Sequence, residues 1–200
     1  MKLDPEGVLA GLDEDQVAKL RSFAAILSGQ GADLGLVSGG DRGRVWTRHV
    51  LDSLRVISCL LPPDRTVADI GSGGGLPGIP LALARPTIPV TLIEPRSRRA
   101  AFLEMVVQEL AIGNARILNM RAEEVSERFR VCTARALADP VATWRLAAPL
   151  LKDEGRVFYF AGRSFGQNEL DALLATGARA NICGSPLFPD SGSLVIMQSG

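Results

Sequence analysis

A short apolar strand running into five glycines within eight residues constrains this chain more than any other feature. Residues 66–70 (TVADI) read as a buried strand, and residues 71–78 (GSGGGLPG) break it before an apolar helical stretch through Leu83. Strand, glycine turn and helix in that order open an α/β sheet, whose ligands sit outside the carboxyl ends of the strands. The same alternation continues down the chain. Strands are expected at 89–94, 115–120, 130–136, 155–161, 179–183 and 193–198, and helices at 97–110, 123–128, 140–151 and 168–175. The fold class read from this is α/β, a doubly wound parallel sheet covered on both faces.

The first third has a different texture. Asp13 can cap a helix over 14–28 with Val17, Leu20, Phe23, Ala24 and Leu27 on one face. A glycine-rich loop follows, then a helix over 46–61 with the stripe Val50, Leu54, Ile57 and Leu61, stopped by Pro62 and Pro63. Residues 1–62 are therefore expected to form a helical extension and 63–200 the sheet domain, together one compact unit. A chain of 200 residues, 46% hydrophobic and 22% charged, can hold that core unaided. No apolar run reaches the roughly 18 residues that span a bilayer, and the acidic start is unlike a secretory signal, so a cytoplasmic protein is expected. Cys59, Cys132 and Cys183 lie far apart with no CxxC pair and one histidine is present, so neither a disulfide framework nor a metal site is expected.

Two cofactor readings compete at the glycine turn. Gly73, Gly75 and Gly78 satisfy G-x-G-x-x-G, in which a helix start meets a pyrophosphate. Asp69, Gly71, Gly73 and Gly75 satisfy D-x-G-x-G-x-G, and the acid favours the second reading. A carboxylate there would repel a pyrophosphate, but suits a cofactor carrying a sulfonium and an amino group. Glu94 ends the next strand, where an acid can accept from both ribose hydroxyls. S-adenosylmethionine is therefore expected in preference to NAD.

Charge adds a second theme. The net charge is zero, but 19 of the 22 basic residues are arginine, the residue that forks onto phosphates. Residues 42–55 carry Arg42, Arg44, Arg48 and Arg55 against Asp52 alone, before His49 is counted. His49 and Asp52, at i and i+3, are expected to pair with each other, with RNA or active-site contact as the alternative. Trp46 is expected to close its helix against the core rather than stack on a base.

The segments RHVLDSL (48–54), DIGSGGGLPGIPLAL (69–83), RAEE (121–124) and ARA (134–136) closely resemble the ribosomal RNA small subunit methyltransferase G family. That family is also called glucose-inhibited division protein B. The resemblance implies a seven-stranded, Rossmann-like methyltransferase sheet behind an N-terminal helical extension. It implies methyl transfer from S-adenosylmethionine to N7 of one guanine in a loop of 16S ribosomal RNA, with the RNA or the small subunit as partner. It places Gly71, Leu76, Ala122, Glu123 and Arg135 at the cofactor, alongside Asp69, Gly73, Gly75 and Glu94 read above. Arg42, Arg44, Arg48, His49 and Arg163 are the candidate RNA contacts. No general base is expected, because guanine N7 carries a lone pair and no proton. No membrane or metal is implied, and a monomer is expected.

Two departures stand out. Gly35-Leu36-Val37 replaces the family's usual Asn-Leu-Thr, and Ala161-Gly162 replaces its Lys-Gly, with Arg163 next. Both are expected to remove polar groups near the RNA face. They leave open a ribosome-associated protein that binds the cofactor without methylating, and a small-molecule methyltransferase is a further alternative.

Overall fold

The structure, a computed structural model, describes residues 5–62, 64–183 and 191–200. Pro63, expected to help end the second helix, lies outside them. Seven strands form one sheet in the order β3-β2-β1-β4-β5-β7-β6. They are β1 (Val67–Ile70), β2 (Val90–Ile93), β3 (Ala115–Leu118), β4 (Phe129–Arg135), β5 (Leu151–Phe160), β6 (Ala178–Cys183) and β7 (Leu194–Ser199). The first five are parallel, in agreement with their continuous apolar runs. The sheet as a whole is mixed, because β7 runs antiparallel to both β5 and β6. A strand buried on both faces reads the same in either direction, so the apolar pattern carried no sign of this reversal.

The helices are α1 (Glu14–Ile26), α2 (Gly78–Ala84), α3 (Ser97–Glu109), α4 (Pro140–Ala147) and α5 (Gln167–Leu174). The N-terminus of α1 is closed by a capping box. The Gln16 amide donates to Asp13 at 2.8 Å and the Asp13 amide donates to Gln16 at 3.0 Å. Gln16 Nε2 also donates to the Leu83 carbonyl at 2.9 Å, tying α1 to α2. Asp139 caps α4, with Pro140 at the first helical position. The helix expected over 123–128 is only a 3-10 turn, Ala122–Glu124.

The second expected helix is irregular. Residues 39–59 run through a 3-10 turn (Gly39–Arg44), a π turn (Val45–Leu51) and a second 3-10 turn (Leu54–Cys59). This segment nevertheless buries Val50, Leu51, Leu54 and Val56 in one apolar cluster with Leu20 and Phe23 of α1, Ile79 and Leu81 of α2, and Val131 and Phe158 of the sheet. A second cluster, on the other face, joins Trp144 and Ala147 of α4 and Leu173 of α5 to Ala68, Cys132 and Val157.

Trp46 is half-buried against the first cluster and lies under Arg21, whose guanidinium carbon is 4.3 Å from its ring centroid. One expectation about cysteine is overturned: Cys59 and Cys183 are joined by a disulfide across 124 residues of sequence. Local spacing carries no trace of it, since the pair is made when the end of the irregular helix meets the end of β6. Cys132 is free and buried in β4, and burial pushes its thiol well up. No helix among the described residues is long and apolar enough to cross a membrane, and none of their His, Cys, Asp and Glu form a cluster that could hold a metal.

Candidate functional site

Strand order reverses at β1, which lies between β2 and β4, so the loops after β1 and β4 diverge and leave a cleft at the carboxyl edge. Three cavities line that edge. The first, about 610 Å³, is walled by Gly71, Glu94, Arg96, Arg99, residues 119–121, Glu124, Ala136 and Leu137. The second, about 210 Å³, is walled by Leu36 to Ser38, Asp41, His49, residues 71–74, Leu76, Arg99, Arg135 and Ala136. They share Gly71, Arg99 and Ala136 and so form one elongated cleft. The third, about 310 Å³, lies under the irregular helix, among Arg48, His49, Asp52, Arg55, Arg135, residues 159–163 and residues 191–193. It meets the second at His49, Arg135 and Ala136.

The glycine turn forms the floor. Gly71, Gly73 and Gly75 all have positive φ, which favours glycine. Their jobs differ. A Cβ on Gly71 would lie 2.6 Å from Leu137 Cδ1 and one on Gly75 2.6 Å from Ile79 Cγ1, so both are closed in by protein. At Gly73 an added Cβ would meet only Arg99 Nη1 and the Gly71 carbonyl, each at 3.7 Å. Gly73 is thus the glycine that opens onto the cleft, and Gly75 is a turn residue buried behind it.

Glu94 stands where the sequence put it. It is 2% exposed and lies in the wall of the larger cavity. One oxygen accepts from the Gly73 amide and the other from the Arg96 amide, both at 2.9 Å, so the carboxylate is held rigidly at the strand end. Asp69 is a correction. It is fully buried beneath the turn and lines none of the three cavities. Oδ1 accepts from the Thr133 hydroxyl at 2.8 Å and Oδ2 from the Gly78 amide at 3.2 Å. It pins the turn and the start of α2 rather than facing a cationic ligand. Burial pushes its carboxyl up to about 6, against the Thr133, Ser72 and Gly78 hydrogen bonds.

Leu76 lines the smaller cleft cavity. Ala122 is buried in the core of the opposite sheet face and Glu123 is exposed, and neither lines the cleft; their neighbours Asn119, Met120, Arg121 and Glu124 do. The Asn119 amide donates to the Glu94 carbonyl at 2.9 Å, and its side-chain oxygen accepts from Ser97 at 3.0 Å. Sequence reasoning missed Arg99, Asn119 and Ala136. Arg99 and Asn119 carried one usable signal, standing within a turn of the carboxyl ends of β2 and β3.

The wall between cleft and third cavity is a polar network. Arg135 donates from Nη1 to Asp52 at 2.7 Å and from Nη2 to the Arg48 carbonyl at 3.1 Å, with His49 Nδ1 at 3.3 Å. Asp52, 4% exposed, also accepts from Arg55 at 3.0 Å and from Ser191 at 2.8 Å. The expected His49–Asp52 pair is absent because Asp52 is taken by these cations. Burial, and then the Arg135 charge, push His49 down to about 4, leaving it neutral near pH 7. Since Arg135 donates to Nδ1, the imidazole proton is assigned to Nε2, which lies 3.6 Å from Asp41.

The other candidate RNA contacts divide. Arg48 and Arg163 line the third cavity. Arg42 pairs with Asp33, and Arg44 pairs with Asp41 at 3.0 Å, both outside it. Of the two departures, Leu36 and Val37 line the smaller cleft cavity. Ala161 and Gly162 do line the third cavity.

The same architecture recurs in solved structures. One is magnesium protoporphyrin IX methyltransferase from Synechocystis PCC 6803 with bound SAM (TM-score 0.59, 15% identity, 95% of this chain and 99% of that one). Another is a mutant of MtNAS in complex with S-adenosylmethionine (TM-score 0.62, 17% identity, 99% of this chain and 85% of that one). The fold, with its glycine-floored cleft and rigid acid, is of the Rossmann-like class, and the match to an rRNA methyltransferase family makes the chain an S-adenosylmethionine-dependent methyltransferase. Within that class the chain belongs to the rRNA small subunit methyltransferase G family, whose sequence profile matches residues 16–176. It is 40% identical over 173 residues to ribosomal RNA small subunit methyltransferase G of Clavibacter michiganensis subsp. michiganensis, covering 85% of this chain and 81% of that one. It is 38% identical over 190 residues to the protein of that name from Leifsonia xyli subsp. xyli, covering 94% and 89%. The residues present fit the cofactor: Gly73 leaves the turn open where a side chain would fill the cleft, and Glu94 offers an anchored acid.

Proposed function

We propose that this chain methylates N7 of a guanine in a loop of 16S ribosomal RNA, in the cytoplasm, using S-adenosylmethionine. The observation that carries the reading is the junction at His49, Arg135 and Ala136, where the cofactor cleft opens against a second cavity large enough for a base. Glu94 would hold the ribose, Gly71, Gly73 and Leu76 the turn-facing part of the cofactor, and the third cavity would receive the guanine.

Bound S-adenosylmethionine supplies an electrophilic sulfonium methyl, which N7 takes with its own lone pair while the sulfur keeps the electrons of the broken bond. No proton leaves N7, so no residue here has to remove one. His49, neutral near pH 7, adds no charge beside the methylated, cationic base, and Asp52, shared with Arg55, offsets part of the Arg135 charge. The protein's contribution is placement, worth about 7–11 kcal/mol when reacting atoms are held in line. N7 lies in the deep groove of A-form RNA, so the guanine must come from a loop or be splayed out to enter the cavity. Arg48 and Arg163 at that cavity would meet the flanking phosphates.

The test is to incubate the protein with labelled S-adenosylmethionine and small subunits lacking the modification, then map label by N7-specific strand cleavage. One cleavage in a single 16S loop is expected. Binding of the cofactor without transfer would instead favour a binding protein, and transfer to free guanosine that ignores salt would favour a small-molecule acceptor.

A further inference from the structure

We infer that Arg55 selects guanine at this site, by donating to O6 of the base from the free edge of its guanidinium. The inference rests on the reading above, in which the third cavity receives the target base, and it names what reads the base there. In sequence Arg55 is one of four arginines between residues 42 and 55, with nothing to set it apart.

In the fold it is 6% exposed and lines the third cavity. Only its Nη1 is spent, donating to Asp52 Oδ1 and to the Gly192 carbonyl, both at 3.0 Å. Nε and Nη2, an edge with which a guanidinium can fork, donate to nothing among the described residues. Nη2 is a buried donor without a partner. Such a donor is costly, and an acceptor that arrives with the ligand removes the cost. Asp52 relates this edge to the chemistry. One of its oxygens takes Arg55 and the other takes Arg135 at 2.7 Å, so the two guanidiniums flank one carboxylate. Arg135 stands at the junction with the cofactor cleft, where N7 has to meet the methyl group. Guanine carries O6 beside N7 on the same edge, both acceptors, whereas adenine has an amino donor in place of O6. With N7 held at the junction, O6 is the acceptor of that edge left for Arg55, and an adenine there would set donor against donor. Arg48 and Arg163 are more exposed at the same cavity, and they are left for phosphates. The charge of Arg55 does not speed the transfer, because the base turns cationic as N7 takes the methyl. Arg55 therefore sorts bases rather than accelerating the step.

The experiment is single-turnover methyl transfer to small subunits reconstituted with 16S RNA carrying guanine, inosine or 2,6-diaminopurine at the position that cleavage mapping identifies. All three bases keep N7. Inosine keeps O6 and lacks the 2-amino group, whereas 2,6-diaminopurine has an amino donor in place of O6. Wild-type protein is expected to prefer guanine over 2,6-diaminopurine about 10- to 100-fold, the range for a hydrogen bond to a charged group. Arg55→Gln, whose amide can also accept, should bring that preference below about threefold, and Arg55→Lys, which still donates, should keep part of it. Neither variant should move the guanine-to-inosine ratio. An equal fall in rate on all three bases in Arg55→Gln would overturn the inference and leave Arg55 a structural residue. Wild-type protein that does not distinguish guanine from 2,6-diaminopurine would overturn it without recourse to any variant. A shifted guanine-to-inosine ratio in Arg55→Gln would overturn it in favour of a contact to the 2-amino edge. Wild-type transfer to none of the three bases would overturn the guanine reading and this inference with it.

Discussion

The arginines of 42–55 and those at the mouth of the cleft look alike in sequence and differ in kind. In the first group Arg42 meets Asp33, Arg44 and Arg48 meet Asp41, and Arg55 meets Asp52. In the second, Arg96, Arg99 and Arg121 line the larger cleft cavity and Arg98 precedes Arg99 on α3, and none of the four guanidinium groups pairs with a carboxylate among the described residues. The first cluster stands out only in a window that opens at residue 42, one position past Asp41 and nine past Asp33. Its apparent excess is largely cancelled in space. The second group sits in a stretch with five glutamates, none of which folds back onto these four side chains. A basic patch is therefore defined by the acids that fail to reach it, not by how many arginines the chain lists in a row.

Removing the acid of the paired group should produce the largest effect. Asp52→Ala leaves Arg55 and Arg135 without their shared carboxylate in a buried network, and should lower stability by about 3–5 kcal/mol in urea unfolding. A loss under 1 kcal/mol would mean that the pairing is ornamental.

Next in size is Asp69→Asn, which keeps the shape under the turn and removes a buried charge. Its folded carboxyl is raised to about 6 from an ordinary 3.8, so the folded state binds the proton more tightly than the unfolded one. The wild type is favoured below the unfolded value and loses that advantage as pH rises through about 6. The substitution should therefore raise stability by about 1–3 kcal/mol at pH 7.5, about two pH units of linkage at most, and give no gain below pH 4. Unfolding midpoints at the two pH values check this, and a destabilisation at pH 7.5 would mean that the ionised acid is needed after all.

The unpaired group should act on RNA rather than on folding. Arg98→Gln with Arg121→Gln should reduce the slope of log affinity for small-subunit RNA against log salt by about 1 to 2, with the unfolding curve unmoved. An unchanged slope would break the comparison. The smallest effect is expected at Arg42→Gln, where an exposed pair with Asp33 is lost. Stability should change by less than about 1 kcal/mol and the salt slope hardly at all.

Much of this was legible before the structure. The seven strands, the glycine turn, the cap at Asp13 and the helical face of α1 follow from periodicity and turn chemistry, both of which act over a few residues. The site was legible in part. Gly73 and Glu94 could be placed together because a strand that ends in a glycine turn, followed by a strand that ends in an acid, sets both at one sheet edge. Asp69 was misjudged because its neighbours in sequence do not tell which side of the turn the carboxylate faces. It points under α2, to Gly78 and Thr133.

What the sequence by itself determined is the class of fold and the position of the glycine-floored cleft, since apolar period and glycine's access to positive φ are local properties. What only the tertiary structure decided is the use of charge and of sulfur. Asp52 finds Arg135 across 83 residues, Cys59 finds Cys183 across 124, and Arg99 finds no carboxylate at all among the described residues. The reason is physical: ion pairs, bridges and their absence are set by which groups the sheet order brings within a few ångströms, and separation along the chain does not report that distance.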